Sequence, residues 1–241
     1  MSTAQTYSKH FIPLESNPEV FTELAHKLGL SASLEFEDVF SLDEELLALV
    51  PRPVLGLILV FPTTEEYEKK VEDEDALLES FQSSEQSEDV VFFKQTINNA
   101  CGLYAILHTV CNGEARDRLK NDSVIAKVLN TSSSVDELVE ALENSTELET
   151  SYASVACKGN TEAPSSAEEE VDYHYIAFVK CKNDHLYQLD GDRKRPIDLG
   201  QLTADEDVLA ERCLIAIRSM MALEADNVNF SLMALVEAAE M

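Results

Sequence analysis

Positive charge is what this chain has least of. Eighteen lysines and arginines stand against forty-six aspartates and glutamates, a net charge of −28, and no basic patch relieves it. A phosphate backbone or an anionic lipid surface would be repelled, so nucleic acid and membrane surfaces are not expected partners. Long apolar runs are missing too. The longest, Val54–Phe61, is far short of a membrane span and reads as a buried strand. Met1–Leu14 has no apolar core, so no secretory signal is expected. The five cysteines are odd in number and irregular in spacing. That argues against a disulfide framework and for a reducing compartment, the cytoplasm first and the nucleus second. Neither a CxxC pair nor an HExxH stretch occurs, so no metal or other cofactor is expected. Repeats and linkers are also lacking, and 241 residues suit a single domain spanning 1–241.

What is present alternates between helix and strand signals, an α/β (α+β) pattern. Asn17-Pro18 starts a helix and Gly29 stops it. Strands are expected at Leu34–Phe40 and Val54–Phe61, with a short helix at Asp43–Leu49 between them. A fully apolar helix follows from Cys101, then helices at Asp122–Asn130 and Val135–Glu143. Strands at Val171–Cys181 and Leu186–Gly191 come next, then a helix over Asp205–Met221 and a strand at Val228–Val236. The acidic run Glu65–Asp75 reads as an exposed helix and Ser80–Asp89 as a loop, neither with chemistry of its own. Tyr152–Glu170, rich in Ser, Ala, Glu, Gly and Pro, reads as a long irregular segment, a kind that is usually functional.

The chemistry concentrates in Lys94-Gln-Thr-Ile-Asn-Asn-Ala-Cys-Gly-Leu-Tyr-Ala-Ile-Leu-His108. Cys101 opens the apolar helix, where unpaired backbone N–H groups and the helix dipole favour an anion. Gln95, six positions earlier in an extended approach, can aim a side-chain N–H at the oxygen of an attacked carbonyl. Most cysteines of intracellular proteins are core filler, and Cys111, Cys157, Cys181 and Cys213 read that way. A nucleophilic Cys101 needs a base and a group to orient it. His174 lies near the start of one aromatic-rich strand and Asp190 at the end of the next, with a polar turn at Lys182–His185. An antiparallel hairpin about 182–183 puts position 174 opposite or diagonal to 190, within side-chain reach. His10, His26, His108 and His185 read as structural, and His108 lies two turns too far along its helix to serve Cys101.

Six stretches together are more specific than any one of these signals. They are FIPLESNPEVF, FEDVFSLDEELLALVPRPVLGLILVFP, KQTINNACG, TEAPSSAEEEVDYHYIAFV, HLYQLDGDRKRPID and VNFSLMALV. On them the chain resembles the ubiquitin C-terminal hydrolases, papain-like thiol deubiquitinases, above all the short single-domain members, from Phe11 to about Val236. The resemblance implies a central, largely antiparallel sheet flanked by helices in a papain-like cysteine protease architecture. It implies Cys101 as nucleophile, His174 as general base and acid, Asp190 as its orienter and Gln95 as oxyanion donor. It makes 152–170 a crossover loop over the active site, and ubiquitin the partner, with Nedd8 as an alternative modifier and a monomer as the expected state. Ubiquitin's flexible, arginine-rich tail would suit the acidity of this chain, although acidity serves solubility equally well. One departure is a turn one residue longer at Lys182–Asp184, away from the triad. Two other readings compete: a different Cys-His-Asp acyl-transfer enzyme, and a catalytically silent ubiquitin-binding module.

Overall fold

The computed structural model describes residues 7–82, 89–131, 134–161, 163–169, 171–223 and 229–239. Most of the Ser80–Asp89 segment, Glu162 and Glu170 of the irregular segment, and Val228 lie outside these residues. The strands are β1 (Lys9–His10), β2 (Leu34–Asp38), β3 (Gly56–Pro62), β4 (Ile97–Asn98), β5 (Tyr173–Lys180), β6 (His185–Leu189), β7 (Ile197–Gln201) and β8 (Ser231–Glu237). The helices are α1 (Pro18–Leu28), α2 (Glu44–Leu47), α3 (Glu65–Ala76), α4 (Cys101–Val110), α5 (Val124–Thr131), α6 (Val135–Glu143), α7 (Thr146–Ala156) and α8 (Glu211–Leu223). Six strands form one sheet in the order β2-β8-β3-β5-β6-β7, every pair antiparallel; β1 and β4 make a small parallel pair. This is the α/β class and the largely antiparallel sheet expected above.

The sheet is packed on both faces, and the strand period of two sorts its side chains between them. Ile58, Val60, Tyr175, Met233 and Leu235 join α1, α4, α5, α6 and α7 in one core. Leu57, Leu59, Phe61, Ile176, Phe178 and Leu232 join α8 and Tyr67 of α3 in the other. All seven residues of β3 are therefore buried, which is why it reads as an unbroken apolar run. Helix α4 is buried at all ten positions because it lies between β5 and the outer helices. Helix α1 is bounded as expected. The Asn17 side chain caps the N–H groups of Glu19 and Val20, and Gly29 closes the helix at φ 128°.

Besides the two-residue strands β1 and β4, which were not expected, three elements differ from the sequence expectation. Helix α7 was not expected, and Tyr152–Ala156 is its last turn, so the irregular segment begins at Cys157 and not at Tyr152. Ser145 caps it, and Leu148, Tyr152 and Val155 form a buried stripe that the Thr/Ser/Glu-rich outer face hides from composition. Tyr152 packs on Phe11 at 4.4 Å and donates its hydroxyl to Ile12 O at 2.6 Å. Helix α8 starts at Glu211, not Asp205. The preceding Thr203–Asp207 is held as turns by carboxylates, Glu206 on the Thr203 N–H and Asp207 on those of Val54 and Leu209. Strand β7 is a short, half-exposed edge containing Gly200 at φ 102°, and its apolar alternation is limited to Ile197 and Leu199, too short to reveal it. The turn between β5 and β6 closes at Asp184, in the left-handed region at φ 61° with its N–H donating to Cys181 O.

His108 is structural, as expected. Its Nε2 accepts the Phe93 N–H at 3.1 Å, its ring stacks on Phe92, and Nδ1 is buried without a partner. Burial pushes its pKa down from 6.5 to about 4. The folded state thus refuses a proton that the unfolded chain accepts, so stability falls as pH drops from about 6.5 and the loss from this group levels off below about 4. The shift corresponds to at most about 3 kcal/mol. Denaturant titrations between pH 7 and pH 4 should show a steeper loss for the wild type than for His108→Gln, which cannot titrate there. Equal slopes would contradict a neutral buried His108.

Candidate active site

Cys101 is the first residue of α4, and no side chain caps the helix start, since Ala100 stands at the cap position. The turn before it needs a left-handed residue, and Asn99 supplies one at φ 57°. The Asn99 amide then reaches across to the irregular segment, donating to Ala167 O at 3.0 Å and Glu169 O at 2.8 Å. Glu15 holds the other end of that segment through the N–H groups of Asn160 and Thr161. Burial would raise its pKa, but these hydrogen bonds together with those of the Thr161 hydroxyl and the Asn17 side chain outweigh it and lower it to about 2.

His174 is placed by register. It stands opposite Phe61 in the β3–β5 pairing, and its ring sits edge-on against the Phe61 ring at 6.0 Å. In the β5–β6 pairing Ala177 faces Leu189, which leaves position 174 diagonal to 190. Nε2 of His174 and Oδ1 of Asp190 are 2.7 Å apart and buried. The other ring nitrogen, Nδ1, faces away from Asp190, and the buried Cys101 thiol is near enough to this ring to help raise its pKa. Cys101, His174 and Asp190 thus come together as one chain of contacts.

Asp190 is itself held. Its Oδ1 accepts the Asp192 N–H at 2.9 Å, and its Oδ2 receives the Tyr67 hydroxyl at 3.4 Å. Tyr67 lies on α3, as does Asp75, whose carboxylate binds Arg193 Nε at 2.7 Å and the Lys194 N–H at 2.9 Å. The acidic helix α3 therefore does have a role at this site, contrary to the sequence reading: it fixes the Asp190–Lys194 turn. The signal available in sequence was the apolar-plus-acid pair Tyr67 and Asp75 on one helix face.

Gln95 is buried beside the same turn. Its N–H donates to Gly191 O at 2.9 Å, and a Cβ on Gly191 would meet Gln95 Cβ at 2.8 Å. Gly191 is thus required by close approach as well as by the end of the strand. The Gln95 Oε1 is buried and finds no hydrogen-bond partner among the described residues, so the amide is not locked by it and can turn an N–H toward a developing anion. Beside Cys101 opens a cavity of about 400 Å³, lined by Leu14, Cys157, Tyr173, Tyr175, Pro164 and Phe230 among others. Cys157 departs from the core-filler reading: it follows the last turn of α7 and is exposed, whereas Cys111, Cys181 and Cys213 are buried. Burial pushes the pKa of Cys111 and of Cys181 up to about 12, leaving them inert.

The electrostatics favour an imidazolium. Burial alone would push the His174 pKa down, but the Asp190 and Asp192 carboxylates and the hydrogen bonds of Asp190 and Cys101 hold it well above 6.5. Burial would raise the Asp190 pKa, and the charge and hydrogen bond of His174 overcome this to lower it. His174, Asp190 and Asp192 have donor atoms within 4.8 Å of one another. Asp190 and His174 spend theirs on each other, on Tyr67 and on a backbone N–H, a hydrogen-bonded rather than a metal-ligating arrangement.

Removing the Asp75 carboxylate leaves the buried Arg193 with only the half-exposed Glu74 as partner. Asp75→Asn is expected to cost about 2–4 kcal/mol in denaturant unfolding. The His174 ring resonance should also shift, because the Asp190 turn loosens; unchanged stability would contradict the role assigned to α3.

Residues 11–222 match the family described as ubiquitin carboxyl-terminal hydrolase, family 1. A ubiquitin carboxyl-terminal hydrolase of Aplysia californica is 36% identical over 224 residues, covering 90% of this chain and 98% of that one. YUH1 of Saccharomyces cerevisiae, another ubiquitin carboxyl-terminal hydrolase, is 36% identical over 234 residues, covering 93% and 94%. Among solved structures, the Trichinella spiralis UCH37 catalytic domain bound to ubiquitin vinyl methyl ester aligns with a TM-score of 0.74 at 26% identity, covering 97% of this chain and 98% of that one. With this match over most of its length, and a buried Cys-His-Asp chain in its core, the protein belongs to the ubiquitin carboxyl-terminal hydrolase family.

Proposed function

We propose that this protein is a thiol hydrolase that releases small adducts or short flexible peptides from the C-terminal glycine of ubiquitin, through a thioester on Cys101. The observation that carries the assignment of residues is the buried line from the Cys101 thiol through the His174 ring to Asp190, with Nε2 and Oδ1 2.7 Å apart. His174 takes the Cys101 proton, and Asp190 holds the ring and stabilises the charge it gains. The thiolate attacks the terminal glycine carbonyl, forming the C–S bond. The oxyanion is met by a Gln95 N–H and by the Cys101 backbone N–H at the start of α4. His174 then protonates the leaving amine or thiol as its bond to the carbonyl breaks, and water hydrolyses the thioester with His174 as base again.

The cavity beside Cys101 is the path for the tail, and its cover is the segment from Cys157 to Asp172, anchored on Glu15 at one end and Asn99 at the other. A tail threaded under such a strap can carry no large group beyond the scissile bond, which restricts leaving groups to small or flexible ones. The negative charge of the chain would speed encounter with ubiquitin's arginine-rich tail. Nedd8 is the second modifier to test, and we take the working form to be a monomer in the cytoplasm.

A fluorogenic C-terminal amide of ubiquitin, set beside the Nedd8 equivalent, tests this directly. The wild type should hydrolyse the ubiquitin amide, and Cys101→Ala should bind ubiquitin without cutting it. Gln95→Ala should lose about 10²–10³-fold in kcat. Gly191→Ala, which pushes on Gln95, should lose about 10²-fold while remaining folded. Intact substrate with folded wild type would instead favour the silent ubiquitin-binding module. Extending the strap between Thr161 and Ala167 should admit bulkier ubiquitin conjugates; unchanged activity on them would remove the strap from the account.

A further inference from the structure

Asp192 is used by none of the steps above, yet its Oδ2 lies 3.6 Å from His174 Nδ1. We infer that Asp192, on the thiol-hydrolase reading just given, forms a leaving-group subsite that takes amines carrying a second positive charge close to the scissile nitrogen.

The cavity beside Cys101 takes the acyl arm of the substrate, and its lining includes neither His174, Asp190, Asp192 nor Lys94. The leaving group therefore departs on the other side, toward His174. To receive its proton the leaving nitrogen must come within hydrogen-bond reach of Nδ1, about 3 Å. A carboxylate oxygen 3.6 Å from Nδ1 then stands within a few ångströms of the first atoms of the leaving group.

Asp192 is built to be met there. Its backbone N–H is fixed on Asp190 Oδ1 at 2.9 Å, so the residue is held in place by the same turn that holds the triad. Its side chain is 44% exposed, whereas that of His174 is 8% exposed. Among the described residues no hydrogen bond to its carboxylate is formed, and the ring of His174 is its ion partner. Lys94 directs its ammonium at the Asp192 and Arg193 carbonyls at 2.7 and 3.3 Å, which offsets part of the field without covering the carboxylate. Tyr7 lies near enough to feel both Asp192 and Cys101: burial, then the charges of these two, raise its pKa to about 12. A part-exposed carboxylate at this point suits a cation and disfavours an anion.

Three ubiquitin C-terminal amides of matched length test the subsite: 1,4-diaminobutane (cationic), n-pentylamine (neutral) and 4-aminobutyrate (anionic). At low salt kcat/KM should fall in that order, by about 3–10-fold per step, for a partly exposed carboxylate offset by Lys94. In Asp192→Asn, and equally in Asp192→Ser, the three values should converge to within about 2-fold, and raising salt should shrink the wild-type spread. Because each ratio is internal to one enzyme, a general loss of activity in a variant does not blur it. Equal values in the wild type, or an unchanged order in both variants, would overturn the subsite while leaving the hydrolase reading intact. Failure of the wild type to cut even the neutral amide would overturn that reading, and the subsite with it.

Discussion

The hydrogen bond from His174 Nε2 to Asp190 Oδ1 is the contact on which the site's geometry rests, and the fold spends several elements on making it. It crosses from one strand to the end of the next on a diagonal, so it exists only while the β5–β6 register holds. The register is fixed from both sides: by the buried β3 strand, which pairs seven residues with β5, and by the turn at Asp184, which closes in a left-handed conformation. A slip of one residue would exchange the two faces of β5, turning His174 away from the thiol and Ile176 away from its core. The packing that stabilises the sheet and the geometry needed by the site are thus the same constraint.

Around that bond the site is assembled from three separate parts of the chain, each contributing a backbone device as well as a side chain. The start of α4 brings Cys101 with its uncapped N–H groups. The Asp190–Lys194 turn brings Asp190, the glycine that lets Gln95 approach, and Asp192. Helix α3 brings Tyr67 and Asp75, which hold that turn without touching the thiol. The strap over the cavity is tied to this assembly by Asn99, two residues before the nucleophile, so motion of the strap is felt at the helix start.

Much of this was legible in sequence because the relevant signals were strong and local. The apolar run of β3, the caps of α1, and the small residues at Cys101 each have one physical explanation, and the hairpin arithmetic put His174 and Asp190 in reach. What was missed has physical causes too. The stripe of α7 is only three residues wide, and Ser and Thr on its outer face mimic a loop. The part played by α3 was masked because nine of its twelve residues are charged, although Tyr67 and Asp75 point inward. The exposure of Cys157 follows from where α7 ends, which periodicity alone did not locate. Asp192 could not be weighed at all, since its nearness to Nδ1 depends on how the chain turns after the strand.

The most direct test of the central assignment is the mass of the protein after incubation with ubiquitin vinyl methyl ester, followed by peptide mapping of the modified thiol. The account predicts a single adduct on Cys101, absent in Cys101→Ala and strongly slowed in His174→Ala, with Cys157 unmodified although it lines the same cavity. An adduct on Cys157, or none on a folded wild-type protein, would contradict it.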